Sequence, residues 1–420
     1  MESWSYGTGV ALGEDVRYAA DADFDAVLTG RLIEPVFQPV VSLADERPVG
    51  YEALARGPKG RFHTASDLFA AAARAGRSAE LDWLCAATAS ERFREADVPG
   101  MALFVNLNPD TLATDPPDNV VEAYLEITRE REVVLEITEQ SVMRQPARLL
   151  DAVLDARNRT ARIALDDIGA DPGSLAAMPL INPDIIKIDR SIIQSRSPSS
   201  WAVSQVVNAV LDEAHRRGAQ ILAEGIETRE QIAVARSLGA SLGQGWLFGR
   251  PGPLPHGVRP SEHHLARVRP RHVSRTTPFE LLAETSDVHS TSEELFGSMA
   301  GHIENQATET SDPAILAVNV GDGEYDDEAR IRHTYLTNRG IDVFVLGTAV
   351  PENLGGRIRG IPLDTADPLA QERTVLFLGS RYGRAAFARR NGSGALDAGT
   401  CYDPERVIEA MLTLVNRLAH

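Results

Sequence analysis

The sequence predicts an α/β protein in two units, an eight-stranded (β/α)8 barrel followed by a smaller α/β domain. Three observations carry this. From about residue 102, short apolar runs alternate with helical segments, the pattern of a parallel sheet covered by helices. Six such runs and a leading hairpin make eight strands, the number that closes a barrel. Finally, 420 residues exceed one ordinary core, and the composition shifts after Pro251.

In chain order, residues 1–20 show no clear period and read as a lead-in, and Asp21 to Arg31 suits a short helix. Glu34 to Leu43 and Val49 to Arg56 flank the turn-forming Ala44-Asp-Glu-Arg-Pro48 and read as a hairpin, with Gln38 interrupting its first strand. A helix follows from Ser66, an N-cap residue type, to Gly76 as C-cap. A second helix spans about Ala79 to Ala96 and places Cys85 on its apolar face, as a core residue. The later strands are residues 102–107, 133–137, 162–166, 185–189, 220–224 and 243–248. Helices at 147–159, 201–217 and 229–238 separate some of them, the last two stopped by Gly218 and Gly239.

Polar residues fall at matching places in these strands. Glu52, Asn106, Glu136, the pair Asp166-Asp167, Lys187, Glu224 and Gln244 each lie in or at the end of a different strand. In one barrel they would meet at the C-terminal mouth, where barrel enzymes build their sites. Neighbouring strand residues face opposite ways, so Asp166 and Asp167 can converge only where the strand ends and turns. Oxygen donors without histidine or cysteine favour Mg²⁺ or Mn²⁺ over zinc. The donors suffice for two ions bridged by Asp166, one held by Glu52, Asn106 and Glu136, the other by Asp167 with Glu224. Such a pair of ions is suited to cleaving phosphate esters. Lys187 among the acids stays protonated and either orients the attacking water or serves as a salt bridge. A metal-dependent lyase would set its lysine opposite one metal triad, a poorer fit to paired acids beside Asn106.

Glu52-Ala-Leu54 with Arg56 resembles the signature of EAL domains, and further family motifs follow in order. They are Asn106-Leu-Asn108, Glu136-Ile-Thr-Glu139, Asp166-Asp-Ile-Gly169, Lys187-Ile-Asp189, Ala223-Glu-Gly-Ile-Glu-Thr228 and Gln244-Gly-Trp-Leu-Phe-Gly-Arg-Pro251. The likeness covers residues 21–252. It implies a modified TIM barrel with an antiparallel first strand. It also implies two-metal hydrolysis of the bacterial second messenger cyclic di-GMP to linear pGpG, and a homodimer through the barrel. Carried over by motif, Gln38, Arg56 and Gln244 contact substrate, Lys187, Glu224 and Asp189 serve the chemistry, and Glu139 anchors the loop after the paired acids. That loop departs from the family pattern: Ile168-Gly-Ala-Asp-Pro-Gly-Ser174 stands where active members carry Phe-Gly-Thr-Gly-Tyr-Ser-Ser. Pro172 removes a backbone donor and Asp171 adds a charge that repels Glu139. Either other contacts hold the loop and the enzyme turns over, or the domain is a cyclic di-GMP receptor without turnover.

Residues 253–276, rich in Pro, His and Arg, read as a solvated linker. From 277 to 420 a second α/β unit follows, with helices at 292–306, 327–339 and 404–418 and strands at 314–320, 342–346, 359–363 and 374–378; residues 387–390 suit one more strand. Pro278-Phe-Glu-Leu281 and Asp364-Thr-Ala-Asp-Pro-Leu369 give it a resemblance to the DICT sensory domain, which implies input sensing with an unknown ligand. Cys401 reads as packed or half exposed.

The formal charge of −18 argues against binding of nucleic-acid polymers or anionic membranes. An acidic protein that handles a phosphate ester needs cations to bridge the like charges. Two distant cysteines suit a reducing cytoplasm and exclude a disulfide framework. No signal peptide or 20-residue apolar span is read, so a cytoplasmic protein is expected.

Overall fold

The computed structural model describes residues 23–415, apart from 97, 109–110, 112–113, 115–116, 139–145, 170–174, 196–200, 272–275 and 311. Helix α1 (residues 23–29) leads into the hairpin β1 (Glu34–Ser42) and β2 (Pro48–Arg56). Then come α2 (Ala65–Ala75), α3 (Ser78–Glu95), β3 (Ala102–Asn106), α4 (Asp118–Glu130), β4 (Val133–Thr138), α5 (Pro146–Asn158) and β5 (Arg162–Ile168). The short α6 (Met178–Ile181) and β6 (Ile185–Ile188) follow, then α7 (Arg190–Ile193), α8 (Trp201–Arg217), β7 (Gln220–Ala223), α9 (Arg229–Ser237) and β8 (Leu242–Gln244). The eight strands close into a barrel in chain order. β1 runs antiparallel to both β2 and β8, and the other neighbours are parallel.

Period-two alternation sorts the strand residues. Val40, Phe104, Val134, Ala164, Ile185, Leu222 and Leu242 form one buried cluster inside the barrel. Two residues farther toward the mouth on each strand, the same inward face carries Gln38, Asn106, Glu136, Asp166, Lys187, Glu224 and Gln244. The lower barrel is thus an apolar plug, and polar chemistry is stacked on it.

The reading of 253–276 as a solvated linker is corrected. The chain crosses the N-terminal end of the barrel as a strap, with Leu265 and Val268 buried and Leu265 completing the inner cluster. Polar groups at the strand starts hold its backbone. Asp184 accepts from Val268 N (2.7 Å), Gln220 accepts from Ala266 N (2.7 Å), and Arg162 donates to the carbonyls of Ala266 (2.9 Å) and Leu265 (3.1 Å). Composition hid this because the strap binds mainly through backbone groups and one leucine. Leu265→Ala should cost about 2–5 kcal/mol of barrel stability. Trp83, Trp201 and Trp246 lie in the barrel and no tryptophan follows residue 252, so fluorescence-monitored unfolding carries no tryptophan signal from the C-terminal unit. An unchanged midpoint would show that the strap closes nothing.

Smaller corrections have local causes. Thr64, not Ser66, caps α2, its side chain accepting from Asp67 N, while Gly76 ends the helix with φ 66° as expected. β8 stops at Gln244 because Gly245 (φ 155°) turns the chain. Cys85 is half-buried at the edge of a cavity beside Phe69 and Val105, whereas Cys401 is buried.

The C-terminal unit comprises α10 (Pro278–Ala283), β9 (His289–Thr291), α11 (Glu293–Glu309), β10 (Ala314–Asn319), α12 (Asp327–Asn338) and β11 (Asp342–Gly347). β12 (Ile358–Pro362), β13 (Glu372–Gly379), β14 (Gly383–Arg390), β15 (Leu396–Cys401) and α13 (Pro404–Val415) complete it. Its seven-stranded sheet has the order β12-β11-β10-β13-β14-β15-β9. One face packs on α11 and α12, the other on α10 and α13. Leu150 and Leu180 of the barrel join the α13 core, and Glu405 at the start of α13 receives Arg271, Arg216 (3.4 Å) and Arg217 (3.4 Å). No helix among the described residues is long and apolar enough to cross a membrane.

Candidate active site

Lys187 is the hub of the mouth. It is 1% exposed, and its Nζ lies 2.8 Å from Glu136, 2.9 Å from Asp166, 2.9 Å from Glu224 and 3.9 Å from Glu52. These groups come from β2, β4, β5, β6 and the end of β7, so only the closed barrel brings them together. Both oxygens of Glu52 are held, by Asn106 Nδ2 (2.9 Å) and by Gln244 Nε2 (2.7 Å). Gln38 pairs with Glu52 in the β1–β2 register and donates to the Gly249 carbonyl at 3.1 Å.

The paired acids converge by a device the sequence did not reveal. The β5–β6 register shifts between Leu165 and Ile168, and Asp167 adopts φ 59° inside the strand. A bulge with a left-handed residue swings the second carboxylate toward the first without ending the strand. Left-handed backbone in a non-glycine residue costs on the order of 1–3 kcal/mol and is held where the surroundings demand it. Asp166 Oδ1 also accepts from Asp167 N at 2.9 Å. One oxygen each of Asp166, Asp167 and Glu224 lie within 4.8 Å of one another.

Five carboxylates thus share one ammonium. Burial, then the charges of Asp166 and Glu52, outweigh Lys187 and push Glu224 up to about 8. Burial and the Glu52 charge hold Glu136 well above the carboxylate range, and burial with the Asp166 charge raises Asp167. Burial raises Glu52 too, but Lys187 and the hydrogen bonds from Gln244 and Asn106 overcome it, so Glu52 sits below its usual value. Burial alone would lower Lys187; the surrounding acids instead hold it well above its ordinary value, as an ammonium. The site therefore lacks positive charge. Glu136, wholly buried, meets Lys187 on one oxygen while its other oxygen has no hydrogen-bond partner among the described residues. An all-oxygen, cation-poor cluster of this kind fits a hard divalent ion.

Two expected residues, Arg56 and Asp189, stand apart from the cluster. Arg56 Nη1 donates to the Ala55 carbonyl at 2.8 Å. Asp189 caps α7 by accepting from Ser191 N at 2.8 Å, and reaches the acids only through its charge, which raises Asp167. Glu139 and positions 170–174 of the altered loop lie outside the described residues. Sequence reasoning missed Asp82, which sits in the second turn of α3 with no motif around it. Burial pushes it up to about 6, and it accepts from Thr111 Oγ1 (2.6 Å) and Asn108 N (3.3 Å), pinning the segment that follows Asn106. Its only sequence signal is an acid on an otherwise apolar helix face.

Among curated proteins, the chain is similar to the probable cyclic di-GMP phosphodiesterase PdeB of Escherichia coli K12, 28% identical over 235 residues, which are 54% of this chain and 44% of that protein. It is also similar to the uncharacterized EAL-domain containing protein YkuI of Bacillus subtilis 168, 28% identical over 243 residues, covering 56% of each. The chain spans less than two thirds of either relative. Among solved structures, BlrP1 of Klebsiella pneumoniae, a manganese and cyclic di-GMP complex, is 28% identical with a TM-score of 0.47, over 53% of this chain and 56% of that one. The family model described as the EAL domain matches residues 22–251, more than half of the 420 residues, and the chain belongs to the EAL-domain family.

Proposed function

We propose that the barrel is a divalent-cation-dependent phosphodiesterase that hydrolyses cyclic di-GMP to linear pGpG. The observation that carries this is the ring of acids from separate strands around Lys187, with Asn106 and Gln244 fixing Glu52. The relatives named for this activity support the substrate. Glu52, Asn106, Glu136, Asp166, Asp167 and Glu224 would hold Mg²⁺ or Mn²⁺, two ions in this reading. When bound, such ions supply charge for the phosphate and acidity for a water.

The chain's own residues do the rest. Lys187 stays protonated and keeps Glu136, Asp166 and Glu224 turned inward. Glu224, at the open side of the ring, takes the proton of the attacking water as the water oxygen bonds to phosphorus and the P–O3′ bond breaks. The proton then leaves on the 3′ oxygen. Gln38, Arg56 and Gln244 line the approach of the dinucleotide. In the same reading the C-terminal unit, residues 277–420, is the sensory input, and the barrels pair as a homodimer.

Incubating the full-length chain with cyclic di-GMP and Mn²⁺ should yield pGpG, and chelator should stop it. Tight dinucleotide binding without product would mean a receptor instead. The raised Glu224 pKa adds a second expectation, because a bound cation must displace its proton. Apparent Mn²⁺ affinity should climb up to about tenfold per pH unit below about 8 and level off above it. Calorimetry in buffers of different ionisation enthalpy would show proton release shrinking over that range. Release that does not change with pH would remove Glu224 from the cation site.

A further inference from the structure

A cleft of about 240 Å³ opens at the carboxyl end of β10, between α11, α12 and β13. β10 is parallel to β11 but antiparallel to β13, and the chain leaves β10 toward α12 and β11. The neighbouring β13 brings no crossover there, which leaves a crevice where open α/β sheets place ligands.

Between Phe296 and Glu304, the α11 wall is cut down to Gly297, Ala300 and Gly301. A glycine inside a helix costs about 0.5–1 kcal/mol relative to alanine. Neither glycine recovers this through packing, since a Cβ built on either meets nothing within 4 Å. The space in front of them is room the fold itself does not use.

Where α11 faces α12, the lining is polar and buried. His333 is 0% exposed, its Nδ1 lies 2.9 Å from the Tyr325 hydroxyl, and the two rings stack with centroids 5.6 Å apart. Its Nε2 faces Glu304 at 3.4 Å but makes no hydrogen bond among the described residues. Glu304, 6% exposed, accepts from Arg332 Nε at 3.0 Å on its other oxygen. A buried ring nitrogen without a hydrogen bond costs about 1–3 kcal/mol, which a ligand would recover. A carboxylate beside an imidazole nitrogen complements a ring edge carrying N–H next to a donor or acceptor. Phe296 and Val375 supply apolar surface for such a ring.

We infer that this cleft binds a small, flat, nitrogen-bearing heteroaromatic molecule of nucleobase size, read at its edge by Glu304 and His333. The site belongs to the C-terminal unit and stands whatever the barrel hydrolyses.

Adenine is a suitable probe, titrated into the full-length chain by calorimetry or ligand-observed NMR. Saturable binding with Kd below about 1 mM is expected, a modest efficiency for ten heavy atoms. Gly301→Leu should fill the cleft and weaken binding by at least about tenfold while leaving Tm equal or higher, because it adds helix propensity. Gly301→Ala should raise Tm and keep binding. Should Gly301→Leu fold poorly, Gly297→Leu, at the exposed edge of the same wall, is the second filler. Absence of saturable binding overturns the inference. So does equal affinity in the filled variant, which would place the purine elsewhere, such as the barrel mouth.

Discussion

Lys187→Met should cost the cation-free barrel about 3–5 kcal/mol, the usual penalty for removing one partner from a buried charge cluster. Lys187 is the sole cation within reach of Glu136 and Asp166 among the described residues, and Glu136 is wholly buried. The loss should grow with pH. Acids whose folded pKa is raised, as for Glu136 and Glu224, favour the folded state while protonated and lose that contribution as pH climbs from the ordinary carboxylate range through the raised value. Without the ammonium those values rise further, so the variant should be weaker at about pH 8 than at about pH 6. Added Mn²⁺ should restore much of the stability by supplying the missing charge. Tryptophan-monitored unfolding with chelator or with Mn²⁺ reads both effects. Wild-type stability of the variant in chelator would mean that the acids carry no charge worth neutralising.

The second large effect belongs to Glu52→Ala. Despite burial, Lys187 and the hydrogen bonds to both of its oxygens hold Glu52 below its normal pKa, so it is ionised at neutral pH. Its loss should lower cyclic di-GMP turnover on the order of 10³-fold, comparable to removing a major electrostatic group from an active site. Cation affinity should fall in parallel, and unfolding should shift by about 1–3 kcal/mol, because the buried Gln244 Nε2 loses its 2.7 Å acceptor. Unchanged turnover would remove Glu52 from the cation site.

Much of the barrel could be read in the sequence because its strands are short apolar runs, and a parallel sheet buried on both faces allows little else. The acids could be read for the same reason. Glu136, Asp166 and Glu224 each fall two residues beyond an inward apolar side chain, Val134, Ala164 and Leu222. Other features depend on tertiary contacts that leave no local trace. The Asp167 bulge needs the β6 register, the Leu265 strap works through backbone carbonyls, and Asp82 acts on a segment 26 residues away. In the C-terminal unit, β9 is three residues long and β15 contains a glycine, so neither announces itself as a strand. The Glu304–His333 wall joins two helices whose shared cleft exists only once the sheet has formed.

The most direct test is to crystallise the full-length chain with Mn²⁺ and collect anomalous data at the manganese edge. Density within coordination distance of Asp166, Asp167 and Glu224, with Glu52 and Asn106 beside it, is the result this account predicts. An empty map there, with Lys187 still bridging Glu136, Asp166 and Glu224, would contradict it.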